Sequence, residues 1–285
     1  MKIIMAENAG FCFGVQRAVD RVYEEAEKGG NIYTFGPIIH NEAVTGDLEK
    51  RGVKILEDPA RLKTLEKCTL IIRSHGVSKA IFEEIRKNPE IQLVDATCPF
   101  VKRIHEIVEE ESANGANIVI IGNVGHAEVE GTIGWSSTGA TVIETKEEAE
   151  AFSLTSKAKI CIVAQTTFNA KKFEELVDIL AKKGYNQTVM NTICNATNVR
   201  QQEAGNIARR VQTMIVIGSA ASSNSAKLYE ICKKECPATL FIQSCDDLRS
   251  VPLADVDTIG ITAGASTPRN IIEEVMNYVR NGTDI

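Results

Sequence analysis

Three cysteines set the frame. Cys12, Cys98 and Cys194 are each followed 24 residues later by a glycine, at Gly36, Gly122 and Gly218. Four residues beyond each glycine stand His40, His126 and Ser222, and two further on Glu42, Glu128 and Asn224. A spacing kept three times over such a distance marks an internal repeat. The chain is therefore expected to be built from three related units, each carrying one cysteine at the same place.

Within each unit, short β-branched runs alternate with helical patterns. LIIRS at 70–74, NIVIIG at 117–122, ICIVA at 160–164, MIVIG at 214–218 and TIGITA at 258–263 read as buried strands. Segments such as VQRAVDRVYEEAEK, AIFEEIRK, VKRIHEIVEEES and FEELVDILAKK read as amphipathic helices between them. That alternation implies parallel sheets. The expected fold class is α/β, with three related parallel-sheet units around a pseudo-threefold axis, at residues 1–97, 98–193 and 194–285. The third unit lacks a closing strand of its own, and residues 2–6 can supply it. The second half of each unit also repeats, with Ser74-His75-Gly76, Gln165-Thr166-Thr167 and Gly264-Ala265-Ser266 set in correspondence.

Open parallel sheets bind ligands beyond the carboxyl ends of their strands. Cys12, His40, His75, Cys98, His126, Glu128, Thr166, Cys194, Ser222, Asn224 and Ser266 all fall there. Packing about an axis would bring the three cysteines to one point, each ahead of a helix whose positive end favours thiolate. Three thiolates suit a zinc ion with water as its fourth ligand. They equally suit three irons of a [4Fe–4S] cluster with the fourth left open. Composition does not separate the two. The plain alternative is that these cysteines only fill core space, and threefold recurrence argues against it. That alternative does suit Cys161, inside a strand, and Cys232 and Cys236, four apart on a helix without a further C-x-x-C partner. Cys68 and Cys245 have no evident partner. His105, within a helix, reads as a solvated or core residue, and Glu42 as an acid at a helix N-terminus. Imidazoles, hydroxyls and amides over helix N-termini suit a polyanion, and Glu128 is the carboxylate best placed to donate a proton. There is no Walker loop, and the glycines of GNVGHAEVEG are wrongly spaced for a dinucleotide fingerprint.

The formal net charge of -6 is spread over interspersed acids and bases, without the basic stripe a nucleic-acid partner needs. No apolar run approaches the ~20 residues that span a bilayer. The segment MKIIMAENAGFCFGV does not read as a leader peptide. The expected location is cytoplasmic, where eight cysteines point to metal binding or catalysis for some of them rather than to disulfides.

The motifs AENAGFCFGV, GPIIHN, RSHGV, DATCPFV, GHAEVEGT, QTT, ICNAT, SSNS and TAGAST together resemble the 4-hydroxy-3-methylbut-2-enyl diphosphate reductase family, over about residues 3 to 280. The resemblance implies three α/β units around one central [4Fe–4S] cluster per chain, held by Cys12, Cys98 and Cys194. It implies that His40, His75, His126, Ser222, Ser223, Asn224 and Ser266 line a diphosphate pocket. Thr166 and Glu128 would sit near the substrate hydroxyl, with Glu128 delivering the proton and His126 beside it. The implied reaction is reductive dehydroxylation to isopentenyl and dimethylallyl diphosphate, the last step of the non-mevalonate isoprenoid pathway. Lacking a flavin or nicotinamide motif, the chain is expected to take electrons from an external ferredoxin or flavodoxin. Ala127 departs from the pattern, standing where a proline or longer residue is expected, but removes no reacting group. Two rival readings are a redox-neutral hydro-lyase using the same open iron, and a cluster-bearing sensor. The sensor would need an output element, which the sequence does not display.

Overall fold

The structure is a computed structural model that describes residues 1–155, 157–249, 251, 253 and 256–281. The last four residues of the third expected unit, 282–285, lie outside that set. Among the described residues, twelve strands run in chain order: β1 (Lys2–Met5), β2 (Ile32–Phe35), β3 (Val53–Leu56), β4 (Cys68–Ile72), β5 (Ile91–Asp95), β6 (Asn117–Ile121), β7 (Ala140–Ile143), β8 (Lys159–Ala164), β9 (Asn186–Met190), β10 (Thr213–Ile217), β11 (Thr239–Ile242) and β12 (Thr258–Ala263). They form three four-stranded sheets with one order repeated: β3-β2-β4-β5, β7-β6-β8-β9 and β11-β10-β12-β1. Every pairing is parallel. The fourth place of the third sheet is filled by the N-terminal strand, with Ile3 opposite Ile259 and Met5 opposite Ile261.

The strand sequences explain this arrangement. Inner strands covered on both faces read as unbroken apolar runs, and β8 and β10 are buried almost throughout. The edge strands β1 and β9 mix exposed and half-buried positions. The glycines of the repeat lie one residue past β2, β6 and β10. Their amides donate to the last carbonyl of the neighbouring edge strand, Gly36 to Leu56 at 2.8 Å, Gly122 to Ile143 at 3.1 Å and Gly218 to Ile242 at 2.8 Å. Gly36 also has a φ of +71°, a left-handed conformation that favours glycine.

The chain packs as two compact units. One comprises Met1–Gln16, His40–Val44 and Asn195–Ile285 and contains the third sheet; the other comprises Arg17–Ile39 and Thr45–Cys194 and contains the first two. The units of packing thus differ from the three units of repeat. The physical reason lies in the second compact unit, where a seam joins two sheets. Trp135 donates its indole N–H to the Val77 carbonyl at 2.9 Å and stacks on His105 at 5.0 Å between ring centres. Lys79 and Glu109 pair across the same seam at 2.6 Å. Among the described residues, no helix is long and apolar enough to cross a membrane.

Candidate functional site

Each repeated cysteine closes a turn from strand to helix. Cys12 precedes the helix Phe13–Lys28, Cys98 is the N-cap of Pro99–Ala113, and Cys194 precedes Asn195–Ala208. Their amides make the same bond, to the second residue past the neighbouring strand. Cys12 donates to the Ala265 carbonyl at 3.4 Å, Cys98 to Ser74 at 2.9 Å and Cys194 to Thr166 at 3.1 Å. Two of the approaches share an Asx turn, a side-chain carbonyl oxygen capping the amide two residues on. Asp95 accepts from the Thr97 amide at 2.9 Å and Asn191 from Ile193 at 3.2 Å. Both stand three residues before their cysteine, a signal legible in DATC and NTIC that the motif reading passed over. Among the described residues, no two cysteines are joined by a disulfide. Cys12, Cys98 and Cys194 are half-buried, whereas Cys68, Cys161, Cys232, Cys236 and Cys245 are buried.

These bonds revise one correspondence. The turns Arg73–Gly76, Gln165–Phe168 and Gly264–Thr267 are each closed by a backbone bond of 3.0 Å between the same two positions. Ser74 therefore matches Thr166 and Ala265, and His75 matches Thr167 and Ser266, so the register expected for the first unit is one residue out. The cause is an added residue, Val77. The helix Lys79–Lys87 begins three residues past its turn, but Ala170–Ala181 and Arg269–Asn281 begin two past theirs.

In the second compact unit, four predicted residues come together in two pairs. His126 caps the short helix Ala127–Ile133, its Nδ1 accepting from the Glu128 amide at 3.2 Å. That bond assigns the ring proton of the neutral form to Nε2. The His75 ring meets His126 edge-on, with centres 5.4 Å apart. Glu128 is 2 % exposed, and its two carboxyl oxygens accept from the Thr166 amide and hydroxyl, each at 2.6 Å. Burial pushes the Glu128 carboxyl up to about 7, against the opposing pull of the Thr166 hydrogen bonds. A carboxyl that keeps its proton near neutrality is suited to general-acid work.

In the first compact unit, Ser222 caps the helix Ser223–Glu235 and accepts from the Ser225 amide at 3.4 Å. Asn224 accepts from the Ala265 amide at 2.9 Å through its carbonyl oxygen. The Nδ2 of Asn224 and the Oγ of Ser266 are buried and have no hydrogen-bond partner. Buried donors without acceptors cost free energy, so both are suited to the oxygens of a bound anion. His40 lies in the loop ahead of the helix Glu42–Lys50, and Glu42 opens that helix. His105 is a core residue, 5 % exposed.

Half-buried thiols at one strand end of each sheet, with a buried protonatable carboxyl at another, define an α/β enzyme built from three repeated parallel sheets. Residues 3–280 match the profile of the family described as LytB protein. The chain is 44% identical over 283 residues to the 4-hydroxy-3-methylbut-2-enyl diphosphate reductase of Caldanaerobacter subterraneus subsp. tengcongensis, covering 99% of this chain and 97% of that one. It is 41% identical to the enzyme of the same name from Clostridioides difficile, over 99% of this chain and 100% of the relative. A solved structure of (E)-4-hydroxy-3-methyl-but-2-enyl diphosphate reductase, the terminal enzyme of the non-mevalonate pathway, aligns at 39% identity with a TM-score of 0.69, over 99% of this chain and 100% of the other. The E-1-hydroxy-2-methyl-but-2-enyl-4-diphosphate reductase of Plasmodium falciparum aligns at 29% identity with a TM-score of 0.90, over 99% of this chain and 88% of the other. The chain belongs to the LytB family, a family of reductases.

Proposed function

We propose that this protein reduces 4-hydroxy-3-methylbut-2-enyl diphosphate to isopentenyl and dimethylallyl diphosphate, consuming two electrons and two protons and releasing water. One observation carries the reading: a half-buried cysteine recurs at the same strand end of all three sheets, while the other five cysteines are buried. Soft thiolate donors of this kind fit an iron–sulfur cluster. Cys12, Cys98 and Cys194 would hold one [4Fe–4S] cluster per chain, which when bound supplies single electrons and Lewis acidity toward the substrate hydroxyl.

The chain's own groups do the rest. Glu128 holds the proton that leaves with the hydroxyl as water, and Thr166 keeps the carboxyl oriented through its two hydrogen bonds. His126 faces the substrate through Nε2–H, because its Nδ1 is engaged at the helix cap. His40, His75, His126, Ser222, Ser223, Asn224 and Ser266 bind the diphosphate, and the unpartnered Asn224 Nδ2 and Ser266 Oγ find acceptors in it. Electrons come from an external carrier of the ferredoxin or flavodoxin type. Cysteines that serve as metal ligands suit a reducing compartment, and we assign the protein to the cytoplasm.

Anaerobic turnover of the hydroxylated diphosphate with dithionite and methyl viologen tests the reading. Both isomeric diphosphates should form, with loss of the substrate oxygen. Iron-replete protein that leaves the substrate intact, or returns an oxygen-retaining isomer, would overturn it.

A further inference from the structure

Two arginines reach the backbone just ahead of repeated cysteines. Arg17, five residues after Cys12 in sequence, donates from a guanidinium nitrogen to the carbonyl of Thr97, the residue before Cys98, at 3.0 Å. Arg200, six residues after Cys194, donates to the carbonyl of Gly10, two residues before Cys12, at 2.8 Å and also to Ala196 at 3.3 Å. Both acceptors are buried, and so is Arg200, at 4 % exposure. Each loop is held from a second side as well. Thr97 donates its amide to Asp95. Ahead of Gly10, the Glu203 carboxylate accepts from the amides of Glu7 and Asn8 at 2.6 and 3.0 Å. Gly10 itself has a φ of +94°, a left-handed conformation that favours glycine.

The repeat supplies an internal comparison. The residue five after Cys98 is Arg103, the positional counterpart of Arg17. It is exposed and pairs with Glu106 on its own helix at 3.1 Å. The bond of Arg17 to a cysteine-bearing loop is therefore not an automatic consequence of arginine at this position, since Arg103 pairs on the surface of its own helix instead.

We propose that Arg17 and Arg200 are positioning residues that fix the Cys98 and Cys12 loops in the geometry required of metal ligands. This rests on the assignment of Cys12, Cys98 and Cys194 as cluster ligands. Each arginine makes a charge-assisted bond to a buried carbonyl, and removing it frees one cysteine-bearing turn without touching a thiol. Lysine, a single point donor on a flexible stem, replaces only part of that hold.

The test follows each thiol separately. Anaerobic holoprotein is exposed to an iron chelator together with iodoacetamide, and alkylation at Cys12, Cys98 and Cys194 is timed by mass spectrometry. In Arg17→Ala, Cys98 should react on the order of tenfold faster relative to Cys12 and Cys194 of the same sample. In Arg200→Ala the lead should pass to Cys12. Arg17→Lys and Arg200→Lys should show the same preference at reduced size, and they keep the test open if Arg200→Ala does not fold. Arg103→Ala should leave the parental order unchanged. Equal acceleration of all three thiols, or an unchanged order in the arginine variants, would overturn the proposal. A parent protein that binds no iron would instead overturn the cluster assignment, and the alkylation order of the bare thiols would still be readable.

Discussion

Glu128 is governed by two opposed effects, burial that favours its proton and two Thr166 hydrogen bonds that favour its charge. Burial wins, and two predictions follow from that sign. Glutamine at this position can accept from the Thr166 amide and donate to its hydroxyl, so Glu128→Gln should fold, keep its metal and bind substrate. Turnover should fall by on the order of 10²-fold or more, and steady-state rates with matched iron content check this. A carboxyl raised in the folded state binds more protons than the unfolded chain between its ordinary value of 4.5 and about 7. Its contribution to stability is thus present below that window and lost as pH rises through it. Glu128→Gln should therefore gain stability relative to the parent at pH 8 and not at pH 4, as read by urea midpoints; equal differences at both would refute the buried acid. The cysteines divide on the same scale. Cys12→Ser, Cys98→Ser and Cys194→Ser should each lose most iron and sulfide, whereas Cys232→Ser and Cys236→Ser should retain both. A full iron complement in any of the first three would break the three-ligand assignment.

Among the elements, the helix Pro99–Ala113 shows how a seam can hide a titratable group. Its apolar face buries Val101, Ile104, Ile107 and Val108, and His105 lies on the same buried side against Trp135. Desolvation pushes the imidazole down to about 4, with Asp95 raising it and Lys102 lowering it as smaller effects. The unfolded chain protonates this group first, so stability is full above 6.5 and is lost as pH falls toward 4. His105→Phe keeps a ring for the stack and removes the titration. Its unfolding free energy should decline less than the parent's between pH 6.5 and 4.5. Parallel declines in the two proteins would assign the acid sensitivity to other groups.

For the whole molecule, the revealing strand is the first. β1 joins a sheet whose other members lie more than 200 residues away in sequence, and its Lys2 and Ala6 amides donate to Asp257 and Ile261 at 2.6 and 2.9 Å. Deleting residues 1–5 should leave β12 as an open edge. It would also remove the partly buried Ile3 and Met5 from the third sheet's core, each worth about 1 kcal/mol or more. Amide exchange in β12 should accelerate, while β8, in the other compact unit, keeps the parental rates; uniform acceleration in both would contradict the two-unit packing.

What the sequence determined by itself is what depends on spacing. The threefold offset from cysteine to glycine and the alternation of strands and helices survive any folding context, so the repeat, the parallel sheets and the positions of the three thiols could be read directly. Tertiary structure decided what depends on contact. The added Val77 shifted His75 by one position against its counterparts, because backbone bonds, not residue identity, set the register. The acidity of Glu128 comes from burial and from Thr166, 38 residues away. The holds of Arg17 on Thr97 and Arg200 on Gly10 span 80 and 190 residues. Desolvation and hydrogen bonding act over a few ångströms, and only the folded chain brings such distant residues within that range.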